Sequence, residues 1–314
     1  MENDDTRVED LWFSNDSLVI KAEKSIFQVS RSILAARSSV FADMVAFPQP
    51  ANGETECSTT VDGSPIVFLH DSASDVSAFL KAIFDSSYFM PAPAPIELDA
   101  VLGILRLSHK YNVHYLYLRA LEHLSVRFGP LSLDDYRSPV APDHIIYTQS
   151  PALSYFKVIS AALEANALWL LPIPYYLATS CSQETLREAR AAGADERLVQ
   201  TCMAEHAYLV RGTAKVNIFL LHRCGPNCAS PEACAEHRHQ LLNGVFQCFW
   251  DDELDHTPLD DWPEDGWGDL SGLCANCVLR ARSTHGGVLQ ELWDELPQRY
   301  GLPSWPELNA MRPQ

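Results

Sequence analysis

Between Asp16 and Val45 the spacing of apolar residues changes period, and that change constrains the fold of this chain more than any other stretch. Leu18 and Ile20 alternate, and Phe27 and Val29 repeat the alternation beyond Ala22-Glu23-Lys24-Ser25, which predicts a β-hairpin. Ile33-Leu34-Ala35-Ala36 then takes a helical composition, Ser38-Ser39 offers a cap, and Val40, Phe41, Met44 and Val45 share one helical face. Two strands therefore feed two short helices.

Downstream, Phe47 to Glu54 is rich in Pro, Gly and polar residues and reads as an exposed loop. Ile66-Val67-Phe68-Leu69 is a short apolar run bounded by turn residues, as expected of a buried third strand. Ser74 or Asp75 can cap a helix whose face is Val76, Phe79, Leu80 and Ile83, which Pro91, Pro93 and Pro95 separate from the next element. One helix follows from Leu98 to about Tyr111, and another carries Val113, Leu116, Ala120, Leu121, Leu124 and Phe128 before Gly129-Pro130 closes it.

This order of elements, with the phrase running from Asp16 to Met44, resembles a BTB/POZ domain over residues 10–128. The resemblance implies an α+β domain with a three-stranded sheet flanked by about five helices, and a role in protein–protein contact, with a homodimer as its usual form. It also implies that Asp16 and Arg31 match the charged pair of the dimer pocket, with Leu11, Phe13, Ile33 and Leu34 near the subunit contact. Ser30 stands where the family often has His. Some relatives bridge a cullin to ubiquitin-ligase substrates through a hydrophobic-x-Glu signature, and here the matching place reads Val45-Ala46-Phe47-Pro48-Gln49, without the Glu. Cullin adaptor is thus an alternative to free-standing scaffold.

The chain has 314 residues, enough for about two domains, and its 47% hydrophobic and 20% charged content suits globular folding. A net charge of −18 opposes extended contact with a phosphate backbone, so direct nucleic-acid binding is not expected, and a chromatin role would have to act through partners. Acidic residues concentrate between Asp251 and Asp269, as a solvated loop or as a dock for a basic partner. The acidic N-terminus lacks a signal-peptide core, and the longest apolar stretch, Ala152–Leu171, contains Lys157, Glu164 and Asn166 and reads as a buried helix rather than a membrane span. An intracellular protein, cytoplasmic or nuclear, is the expectation, with its nine cysteines in a reducing compartment.

Residues 129–150 read as a linker or crossover, and 151–314 as an all-α domain. Ser150-Pro151 starts a helix expected to reach Leu171-Pro172, and further helices are expected around 183–192, 196–221, 231–249 and 273–296. No period of 20 to 50 residues repeats, so a solenoid or propeller is not supported. This half resembles the helical tail of a large group of fungal BTB proteins, a group that lends it no activity.

Cys274-x-x-Cys277 has the spacing of half a structural zinc site, and Cys224, Cys228 and Cys234 could supply the other half across the Gly225-Pro226-Asn227 turn. Inert core thiols and a disulfide are the alternatives, and His237, His239 and His285 are spare ligands. Signatures of zinc proteases, nucleobase deaminases, nucleophile elbows and P-loops are absent, so an enzyme is not expected and a zinc- or Cys-dependent hydrolase is a minor alternative. His109, His114 and His123 read as helix residues without chemistry, and the tryptophans as core. The function expected is a scaffold that self-associates through its first half and recruits another protein through its second.

Overall fold

A computed structural model of the chain describes residues 5–13, 16–46, 60–61, 64–138, 144–250, 257–260, 267 and 270–313, with the side chains of 60–61, 64–65, 246 and 248–250 not described. The hairpin forms as its period requires: β2 (Ser17–Ala22) pairs antiparallel with β3 (Ser25–Ser30), Leu18 opposite Val29 and Ile20 opposite Phe27. Glu23 makes the turn with a φ of +52°. Both faces are covered, since Val19 and Gln28 are buried as well as Leu18, Ile20, Phe27 and Val29. β5 (Ser64–Leu69) lies parallel to β2.

The sheet has five strands rather than the three expected, in the order β1-β3-β2-β5-β4. The additions are β1 (Thr6–Trp12), parallel to β3, and the two-residue β4 (Thr60–Val61), antiparallel to β5. For β1 the sequence carries no strand period, for a physical reason. β1 is Thr-Arg-Val-Glu-Asp-Leu-Trp, a charged edge strand in which only Leu11 is buried, so backbone pairing rather than apolar alternation makes it a strand.

Against this sheet lie α1 (Arg31–Arg37) and α3 (Ala73–Phe84); α2 (Ser39–Ala46) packs on α1, α4 (Leu98–Lys110) on α3, and α5 (His114–Phe128) on α4. The Oγ of Ser38 caps α2 at the Phe41 amide, and Ser72, not Ser74 or Asp75, caps α3 by accepting from the Asp75 amide. Helices α3 and α4 approach closely at Gly103, where a Cβ would stand 2.7 Å from Asp75 Oδ1 and 3.0 Å from its Cα. That carboxylate is held by Arg106, whose Nη2 donates to Oδ2 at 2.7 Å.

The crossover is partly ordered by β6 (Ile96–Glu97), which pairs parallel with β7 (Ile145–Ile146), and by the short α6 (Leu133–Arg137). Beyond it come α7 (Pro151–Glu164), α8 (Pro172–Ser180), α9 (Gln183–Ala191), α10 (Glu196–Val216), α11 (Pro231–Trp250), α12 (Ala275–Arg299) and α13 (Trp305–Ala310). The helix expected to run from 151 to 171 stops at Glu164, because Asn166 takes the left-handed conformation at φ +54°. Pro172 then opens α8 instead of ending α7, its missing N–H being harmless in a first turn.

Two hydrophobic clusters result. The larger draws its residues from Leu11 to Leu308 and so includes side chains from both halves of the chain. Arg312 fastens the C-terminal end to the end of α5, donating to the Gly129 and Pro130 carbonyls at 2.7 and 2.9 Å with its guanidinium over Trp169. Trp293 and Trp305 stack at 4.3 Å, and Trp305 Nε1 donates to the Trp293 carbonyl. Trp169, Trp267, Trp293 and Trp305 are core residues as expected; Trp262 and the side chain of Trp250 lie outside the described residues. The smaller cluster contains Phe219, Leu220, Cys234, Trp267, Leu270, Leu273, Cys277 and Ala281.

Candidate interaction domain and candidate metal centre

At the junction of hairpin and α1, Asp16 adopts φ +47° and turns its carboxylate onto the first turn of the helix. Oδ2 accepts from the Ser32 amide at 3.0 Å, and the Asp16 carbonyl accepts from the Arg31 amide at 2.8 Å. Hydrogen bonds from Ser32 hold the Asp16 pKa below its ordinary value, with the Arg31 charge a smaller contribution. Arg31 itself reaches the other way, Nη2 donating to the Val45 carbonyl at 3.1 Å and joining α1 to the end of α2. Within one chain the two charges are neighbours that anchor different backbone groups.

The apolar residues expected near a subunit contact separate into two kinds. Leu11 and Leu34 are buried in the chain's own core, while Phe13 and Ile33 are 39% and 46% exposed. Phe13 sits at the end of β1, its amide bonded to the Gln28 carbonyl and its ring 5.5 Å from that of Phe84. Ile33 projects from α1 one residue before Leu34, because helical rotation turns successive side chains to different faces. The Phe47-Pro48-Gln49 segment that bears on cullin binding lies outside the described residues, as do Cys57 and all of the acidic stretch from Asp251 to Asp269 except Leu259-Asp260, Trp267 and the residues at 257–258.

In the smaller cluster the structure brings together Cys228, Cys234, Cys274 and Cys277, all four sulfurs within 4.8 Å of one another. Cys228 Sγ lies 3.7 Å from Cys274 Sγ and 3.6 Å from Cys277 Sγ. A tetrahedral ion with Zn–S bonds of about 2.3 Å places its sulfurs about 3.8 Å apart, whereas a disulfide needs about 2.0 Å. The spacing suits an ion, and these cysteines are free thiols. Cys224 stands apart, its Sγ donating to the Pro231 carbonyl, so the set of five narrows to four. Of the spare histidines, none joins the group; His285 bonds through Nδ1 to the Val216 carbonyl.

Local structure explains this convergence. The Cys228 amide donates to the Gly225 carbonyl and closes the turn at Pro226-Asn227, while Cys234 occupies the first turn of α11. Cys274 is the N-cap of α12 and Cys277 lies in its first turn, so both sulfurs belong to a helix N-terminus, where negative charge is favoured. Asn276 Nδ2 donates to the Asn227 carbonyl at 2.7 Å and ties the loop to α12. The Cys274 amide donates to Cys234 Sγ at 3.2 Å. Amides of Ala229 and Cys277 lower the Cys274 pKa to about 6, while burial raises that of Cys277.

Arg238 belongs to no motif in the sequence. It follows Cys234 by four residues on α11 and is 5% exposed, with Nη1 donating to the His222 carbonyl. The i, i+4 spacing was the available signal.

The family model of the BTB/POZ domain matches residues 13–126. Those residues form a BTB/POZ domain, a protein–protein interaction module whose family is typically non-enzymatic. Hairpin, third strand and helices α1–α5 are that domain, and a mostly helical remainder follows it. No curated protein and no solved structure gives a significant match to the chain. Among the described residues no helix is long and apolar enough to cross a membrane.

Proposed function

We propose that this protein is an interaction scaffold that self-associates through residues 13–126 and recruits a second protein through its helical half. The BTB/POZ domain carries this reading, and the exposed Phe13 and Ile33 beside the anchored Asp16 and Arg31 support a contact surface there. Light scattering of the full chain at micromolar concentration should report a dimer. A strictly monomeric species would remove the self-association.

The four-sulfur group is read as a structural zinc site, supported by sulfur spacing and by a donor set that leaves no position for a water. Zinc there would join the 224–228 loop, α11 and α12 and hold together a cluster with few large apolar side chains. Metal analysis of freshly purified protein should find about one zinc per chain. Iron in its place, or no metal, would overturn this assignment.

A further inference from the structure

Among the described residues Arg238 has no acidic partner. It is 5% exposed, and among the described residues no Asp or Glu lies within ion-pair distance of it. Its guanidinium bonds to the uncharged carbonyl of His222. A buried cation left this way is strongly unfavourable unless some other negative charge offsets it. On α11 it follows the buried Cys234 by one helical turn, so the two side chains lie on the same face of that helix. Arg280, three residues after Cys277 on α12, is exposed and bonded to the Arg223 carbonyl, where water screens its charge.

Four thiolates around a divalent ion carry a net charge of about −2, and that charge would sit in a cluster otherwise lined by Phe219, Leu220, Trp267 and Leu270. Cys228 and Cys274 are half-buried, but the side of the centre at Cys234 and Cys277 is buried, and there a nearby cation offsets the charge for the same reason that the charge offsets the cation. We propose that Arg238 is the internal counter-ion of the four-sulfur centre, a positioning residue that makes the site favour a divalent ion held by all four thiolates. This rests on the zinc reading above. Arg238 and the loaded centre compensate each other, whereas in the metal-free, protonated state the guanidinium is the uncompensated charge.

The opposite signs in the two states give the test. Zinc affinity of the full chain is measured by competition with a chromophoric chelator, and urea midpoints are measured with and without zinc, for wild type, Arg238→Met and Arg238→Lys. Arg238→Met should weaken zinc binding roughly 10–100-fold, the range for outer partners of metal ligands. Its loss in midpoint should be larger with zinc than without, and Arg238→Lys should bind zinc more tightly than Arg238→Met. Equal losses with and without zinc would make Arg238 merely structural and overturn the proposal, as would unchanged affinity in Arg238→Met or equal weakening in both variants. If Arg238→Met does not fold, Arg238→Lys against wild type decides: unchanged or mildly reduced affinity supports the counter-ion, and loss as large as 100-fold overturns it. Absence of zinc binding by wild type would instead sink the zinc reading itself.

Discussion

His144 Nε2 lies 2.9 Å from His123 Nδ1 in the interior, so two imidazoles join α5 to the residue that leads into β7. The direction of this bond follows from its other end. His123 Nε2 is 2.8 Å from the Met90 carbonyl, which only accepts, so His123 carries its proton on Nε2 and His144 donates to Nδ1. Phe89 stacks on the His123 ring at 5.0 Å. Burial holds the His123 pKa below its ordinary value.

Acid should therefore loosen the crossover. The unfolded chain takes up this proton near pH 6.5, before the folded chain does, so the contribution is complete above about pH 6.5 and declines as pH falls towards the lower folded value. Urea midpoints should drop between pH 7.5 and pH 5, and drop less in His123→Gln, whose amide can replace both hydrogen bonds without titrating. The same drop in both proteins would clear the histidine pair of responsibility.

Gly103→Ala should destabilise the chain by about 1–3 kcal/mol, the usual penalty for overpacking a close contact. The added methyl meets a carboxylate that Arg106 holds in place. In an Asp75→Ala background much of the penalty should disappear. Chemical denaturation of the four proteins in the cycle measures this directly.

At Asn166 the left-handed backbone separates α7 from the turn that leads into α8. Asn166→Val should lower stability by about 1–2 kcal/mol, and Asn166→Gly should be nearly neutral. Thermal melts distinguish them, and equal melting of both variants would remove the conformational explanation.

Cysteine substitutions should sort cleanly. Cys224→Ser should keep about one zinc per chain, whereas Cys274→Ser with Cys277→Ser should lose it, because only the latter pair belongs to the four-sulfur group. Zinc loss from Cys224→Ser would redraw the ligand set.

For self-association, the neighbours Ile33 and Leu34 make opposite predictions. Ile33→Asp places a charge on an exposed face and should give folded monomers, while Leu34→Asp buries one and should prevent folding. Light scattering beside circular dichroism reads both outcomes. A dimer that survives Ile33→Asp would put the contact elsewhere.

The order of amino acids by itself determined the hairpin, the third strand and α1 to α5, because each has a local signal: a period of two, a period near 3.6, a capping serine, a proline or a glycine. It also marked the cysteines as candidate ligands. What it lacked was everything that depends on partners distant in the chain. The charged β1 is a strand only because β3 offers backbone groups to it, and Val19 and Gln28 are buried only because both sheet faces are covered. Which four of five sulfurs meet was decided by the packing of α11 against the start of α12, some 40 residues further on. Arg238 acquired its meaning from the same packing, since a charge takes its energy from what surrounds it and not from its place in the sequence.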